Sequence, residues 1–290
     1  MSYLHIKNLD KDPRILQFRQ VYALEKVHGT SAHVAWDGSG NIRLFSGGEK
    51  HARFAGLFDL SQLEALFRDH CGDRPMTVYG EAYGGSQQGM SAAYGKDLRF
   101  VAFDCLGADK WLDVPSAEAL VNHLGLEFVP FHFTSTDLAA LDAHRDHPSE
   151  VAVRRGITAP MPREGVVLRP PFEVTLNNGE RLIAKYKGAA FSETKTVRLV
   201  DPTKALMLTE ATAVAEEWVT PMRLTHVLDR VLVGGATATA ARTREVIEAM
   251  VEDVLREGHP EVEDTREVRA AIGRKTATLY QERVKKLETT

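Results

Sequence analysis

A change of texture near Val197 constrains this chain more than any other feature: short alternating runs come before it, and proline-opened helical segments come after it. Upstream, "HVAWDGSGNIRLFS" alternates around Asp37, Gly38, Ser39 and Gly40, the pattern of two strands joined by a hairpin. "MTVYGEAYG", "LRFVAFDCLG", "EGVVLRPP" and "ERLIAKYKG" are runs of the same kind, and helical spacing interrupts them twice, at 60–70 and 116–124. No βαβ unit repeats, so the expected class is α+β. Downstream, Asp201-Pro202 and Thr220-Pro221 each place an N-cap residue before a proline at the first helical position. A third helical segment stops at Gly258 and Pro260, and a fourth carries Asp264 three residues before Glu267, a capping-box spacing. The expectation is two domains: 1–196, of strands with flanking helices, and 197–290, all helical, with "GGATATAAR" connecting two of its helices. The length permits this, because single cores stop growing at roughly 250 to 300 residues.

A formal net charge of -4 gives no broad basic field, so contact with nucleic acid requires a local patch. The first residues lack a basic head followed by an apolar core, and no apolar run approaches the ~18 residues of a membrane span. A soluble, cytoplasmic protein with no membrane partner is expected. Cys71 and Cys105 form no C-x-x-C pattern and the histidines no metal spacing, so neither a disulfide framework nor a zinc site is signalled.

The stretch "LEKVHGT" sets Lys26 at the mouth of a glycine turn, directly after the strand-like "VYAL". Taken alone, K-x-x-G is common, and a solvated loop lysine is its ordinary reading. The order of the downstream residues changes the weighing: Glu81 in "VYGEAYGG", Phe103 in "RFVAFD", Glu164 in "REGVVLRP", then Lys185 and Lys187 in "AKYKG". Each lies on or beside a strand candidate, so separate strands are able to converge on one cleft. Lys185 and Lys187, two apart on a strand, point the same way. His28 stands out among the histidines by position only.

These pieces, in this order from Ala23 to Lys187, resemble the covalent nucleotidyltransferases: ATP-dependent DNA and RNA ligases and messenger-RNA capping enzymes. "EKVHGT" is most similar to the RNA ligases typified by the second RNA ligase of a T-even bacteriophage and by the trypanosome editing ligases. The resemblance implies a nucleotidyltransferase domain of antiparallel sheets, with ATP and Mg²⁺ or Mn²⁺ as cofactors. It implies that the Lys26 amine attacks the α-phosphorus and carries AMP, which requires a neutral amine, helped by the charge of Lys185 and Lys187. By resemblance Glu81 binds the ribose, Phe103 lays its ring on the adenine with Phe100 as the alternative ring, and Glu164 holds the metal. The resemblance also implies that the main chain at Glu25 faces the adenine edge, with its side chain in support. The implied activity is joining of 3′-hydroxyl and 5′-phosphate ends at nicks in RNA-containing duplexes. A DNA ligase and a catalytically silent nucleotide- or nucleic-acid-binding module are the alternatives. Two departures stand against the family pattern. Ser31 replaces an asparagine, and no arginine occurs some 20 residues past the lysine, so that either Lys50 or Arg53 reaches that space or a ribose or phosphate contact is lost. The helical module takes the place of the barrel of DNA ligases, and its implied task is contact with the duplex.

Overall fold

The computed structural model describes residues 3–176, 178–191, 201–232 and 238–288. Two compact units divide the chain: Met1–Ile15 with Gln20–Leu199, and Leu16–Arg19 with Val200–Thr290. The boundary expected between 196 and 197 lies outside the described residues, as does the first part, 234–237, of the connector "GGATATAAR".

Ten strands are described in the first unit: β1 (Lys7–Asn8), β2 (Gln20–Lys26), β3 (Thr30–Trp36), β4 (Ile42–Ser46), β5 (Met76–Tyr83), β6 (Arg99–Gly107), β7 (Lys110–Trp111), β8 (Phe131–Ser135), β9 (Gly165–Arg169) and β10 (Ala184–Lys187). They form two five-stranded sheets, ordered β1-β10-β9-β2-β8 and β4-β3-β5-β6-β7. All pairs are antiparallel except β1 with β10. The hairpin between β3 and β4 is the one its turn residues predict: an Asp37 carboxylate oxygen accepts from the Ser39 and Asn41 amides at 2.7 and 3.1 Å.

Sequence alternation decides which face of the second sheet is covered. Ala32, Val34, Trp36, Val78 and Cys105 are buried together with Phe54, Phe67, Val114 and Leu120 from the helices His51–Ala55, Leu60–Cys71 and Val114–His123. The opposite face carries Ser31, His33, Tyr79 and Glu81, which follow from the same period of two. A buried charge cluster joins the two sheets. Asp104 on β6 accepts from Arg169 on β9 at 2.9 Å, from Arg181 at 2.6 Å and from the Tyr3 hydroxyl at 2.6 Å. Removing one member of such a cluster leaves an uncompensated buried charge, so the cluster holds the sheets at a fixed spacing.

The helices Leu138–Asp146 and Glu150–Arg154 and the strand β8 add to what the sequence pattern implies. The two helices are too short to show a repeat of their apolar positions, and β8 is half polar.

The second unit is helical, over Pro202–Trp218, Pro221–Val231, Thr243–Glu257 and Arg266–Glu288. Its core gathers Leu224, Val227, Val246, Met250, Val254, Ile272 and Tyr280. Asp201 caps the first helix, accepting from the Thr203 amide at 2.9 Å, and Thr220 caps the second, accepting from the Arg223 amide at 3.2 Å. The fourth helix corrects the expectation. Thr265 is the cap, its hydroxyl accepting from the Val268 amide at 3.2 Å, while Asp264 pairs with Arg269. A hydroxyl three residues before a free amide meets the same need one position later.

Candidate active site

Lys26 ends β2, and its register explains its surroundings. It lies opposite Gly165 on β9, and Gly165 lies opposite Lys187 on β10. Directly opposed residues share a face, so two lysines flank a position that has no side chain. Only glycine serves there: its φ is +148°, and a Cβ would meet the Tyr186 carbonyl oxygen at 2.2 Å. The next row is Leu24, Val167 and Lys185, which places Lys185 on the same face as Lys26 and Lys187.

Glu164 precedes the glycine and reaches into this row. One carboxylate oxygen accepts from Lys26 Nζ at 2.9 Å and lies 3.1 Å from His28 Nδ1; the other lies 3.0 Å from Lys187 Nζ. Glu164 is only 3% exposed, whereas Lys26 keeps 25% of its side chain in contact with solvent. Burial works to raise the Glu164 carboxyl, but the charge of Lys26 and the hydrogen bonds from Lys26 and Lys187 outweigh it and hold it below its ordinary value. A carboxylate that stays ionised while buried is thus bound to three basic groups.

The second sheet supplies Glu81. Its carboxylate accepts from the Gly29 amide at 3.1 Å, which fixes the turn after Lys26. Gly29 is required by close approach, since a Cβ there would meet the Ala82 carbonyl oxygen at 2.4 Å. Burial pushes the Glu81 carboxyl up to about 7; Lys26 and the Gly29 amide pull it down, while Glu164 adds to the rise. Phe103 is the extra residue of a bulge in β6, because Tyr79 faces Asp104 while the adjoining Gly80 faces Ala102. Its ring is half-buried, edge-on to Tyr3 at 4.9 Å between centroids. Phe100, the alternative ring, is buried in the core against Phe54 and Phe58.

Glu25 alternates with Lys26 and faces the other way. Its carboxylate accepts from the Ser149 hydroxyl and from the Glu150 amide at 2.9 Å, with Arg163 at 3.6 Å. Glu25–Arg163 and Lys26–Glu164 are thus successive ion pairs of opposite polarity, which pin β2 to the segment entering β9. Lys50 opens the helix His51–Ala55, and the Arg53 guanidinium pairs with Glu49 at 3.2 Å. Ser31 is exposed on β3, directly opposite Glu81.

His28 belongs to this cluster although its sequence position alone gave it no role. The available signal was its spacing of two from Lys26, which in extended chain returns it to the same side. Its ring also stands 5.4 Å from that of Phe191. Among the described residues no group of three or more histidine, cysteine or acidic side chains is arranged to hold a metal. No described helix is long and apolar enough to cross a membrane.

A family model described as RNA ligase matches residues 19–187. No curated protein matches the sequence. Among solved structures, the chain is similar to a mutant Naegleria gruberi RNA ligase with AMP and Mn, at 17% identity and TM-score 0.50 over 66% of this chain and 57% of that one. A mutant of the same ligase with ATP and Mn gives 16% identity and TM-score 0.51, covering 66% and 56%. An apo mutant gives 18% and 0.51, covering 66% and 57%. The chain thus spans little more than half the length of those ligases, and the likeness speaks to the fold. The family match takes in every residue of the Lys26, His28, Glu81, Glu164 and Lys187 cluster and more than half of the chain, which belongs to the RNA ligase family.

Proposed function

We propose that the chain is an ATP-dependent RNA ligase that works through AMP carried on Lys26. The observation that carries this reading is the row Lys26, Gly165, Lys187 with Glu164 bound to both lysines. In the first step the Lys26 nitrogen attacks the α-phosphorus of ATP; an N–P bond forms and the bond to pyrophosphate breaks. The amine attacks only without its extra proton. Lys187 and Lys185, on the same face, are placed to meet the negative charge that develops on the phosphate and the leaving group. Glu81 accepts from ribose hydroxyls, Phe103 stacks on the base, and Glu25 contributes through its main chain, its carboxylate being engaged on the far side.

Mg²⁺ or Mn²⁺ fits the site as a partner of few protein ligands. Such ions bind through one or two carboxylates together with substrate phosphates, and Glu164 is the carboxylate in the lysine row. Bound there, the ion would neutralise phosphate charge. The Naegleria structures with AMP or ATP and Mn support this choice of nucleotide and metal.

In the second step AMP passes from Lys26 to an RNA 5′-phosphate, breaking N–P and forming a phosphoanhydride. In the third a 3′-hydroxyl attacks that activated phosphate, a phosphodiester forms and AMP leaves. Nicks in duplexes containing RNA are the substrate of this reading, and cytoplasm its compartment. Incubation with α-labelled ATP and Mg²⁺ tests it. Acid-stable label on the protein, absent from Lys26→Ala, is expected; an unlabelled protein or label that survives that substitution would contradict it.

A further inference from the structure

The helical unit carries a second acid surrounded by bases. Asp253, buried on the helix Thr243–Glu257, accepts from Arg223 at 2.7 Å, from Arg230 at 2.5 Å and from Arg256 at 2.6 Å. Arg256 also reaches Glu257 at 3.2 Å. These groups and His226 line an open cleft of about 530 Å³ between the helices Pro221–Val231 and Thr243–Glu257.

Fastening two helices requires one of these arginines, and Arg223 suffices. It comes from the neighbouring helix, is the most buried of the three and is held under the Trp218 ring at 5.2 Å. Arg230 and Arg256 are 49% and 57% exposed. Ion pairs so exposed add little to stability, so stability does not account for two more guanidiniums on one carboxylate. Three guanidiniums face two carboxylates, leaving positive charge in excess. Each has five donors and binds these acids through only one or two of its nitrogens. Planar forks with spare donors, in an open polar cleft, match the oxygens of a phosphodiester.

We infer that this cleft is a phosphate-binding site for the RNA backbone, with Arg230 and Arg256 as the contacting groups and Asp253 and Arg223 as the frame that aims them. The inference rests on the ligase reading for its occupant and on the arginine geometry for its chemistry. A phosphate contact gives affinity without sequence preference and makes binding fall with salt.

The test uses the full chain, a labelled nicked RNA duplex and the double variant Arg230→Gln, Arg256→Gln, which leaves the Arg223–Asp253 clamp in place. Anisotropy titrations across a salt series should show roughly tenfold weaker binding near physiological salt and a salt slope smaller by about 1.5 to 2. Unchanged affinity and slope, in a variant whose melting confirms that it folds, would overturn the site. Calorimetry with inorganic phosphate forms the second arm. Loss of phosphate binding with RNA binding intact would assign the cleft to a small anion and also overturn the proposal. AMP labelling of the same preparations is scored separately, so a protein that binds RNA through these arginines but never takes label sinks the ligase reading and not the site.

Discussion

Two carboxylates in this molecule each gather three basic groups, and the difference lies in what those bases are able to do. Glu164 holds Lys26, His28 and Lys187; Asp253 holds Arg223, Arg230 and Arg256. An amine or an imidazole gives up a proton under mild electrostatic pressure, whereas a guanidinium stays charged throughout the working range. The first cluster is therefore suited to bond making at phosphorus. The second is suited to holding a phosphate that does not react. Rigidity differs as well: Glu164 is set by strand register and a glycine that admits no side chain, while Asp253 is set by side chains from two helices.

The sharpest way to break the contrast is to make the first cluster resemble the second. Lys26→Arg keeps a cation beside Glu164 but removes the proposed nucleophile, and AMP labelling should fall at least a thousandfold, to background. Retained labelling would show that position 26 serves by charge alone. Next in size is Lys187→Ala, expected to slow self-adenylation about a hundredfold in single-turnover assays, with Lys187→Arg recovering part of the loss because it restores charge. In the helical unit, Asp253→Asn leaves Arg223 and Arg230 without their shared carboxylate, and Arg256 with Glu257 alone, and should lower unfolding stability by about 2 kcal/mol in urea titrations, a value discounted for the exposure of Arg230 and Arg256. A stability within experimental error of the parent would mean that the carboxylate does not organise the arginines.

The smallest effect is a pH dependence. Burial raises the Glu81 carboxyl from an ordinary 4.5 to about 7, so the fold prefers its protonated form. The stability tied to that group is fully present below 4.5 and is lost as pH rises through about 7. Unfolding free energies from urea titrations at pH 5 and pH 6 should therefore differ more in the parent than in Glu81→Gln, by about 1 kcal/mol. An equal difference in both proteins would remove Glu81 from the account.

Much of the first cluster was legible from the sequence because strands carry a two-residue period and the motif pieces sit at strand ends. Lys185 and Lys187 share a face for that reason, whereas the gap that Gly165 leaves between Lys26 and Lys187 comes from the register alone. His28 escaped because its partner lies far along the chain, and only the register of β2 on β9 brings the two together. The engagement of the Glu25 carboxylate was hidden for the same reason: Ser149, Glu150 and Arg163 are distant in sequence. The cross-sheet cluster of Asp104, Arg169 and Arg181 leaves no local pattern at all, since each residue reads singly as a strand-end or loop charge. In the helical unit, proline and N-cap residues gave two starts correctly, and the third, at Thr265, slipped by one because Asp264 and Thr265 are adjacent and both are of capping type. The arginines around Asp253 stand on two helices, so no spacing along one helix reveals their convergence.

Mass spectrometry of the full chain after incubation with ATP and Mg²⁺ tests the central claim most directly. The account predicts that the intact protein gains the mass of one adenylyl group and that peptide sequencing finds it on Lys26. An unmodified protein, or an adenylyl group on Lys185, Lys187 or any other residue with Lys26 bare, would contradict it.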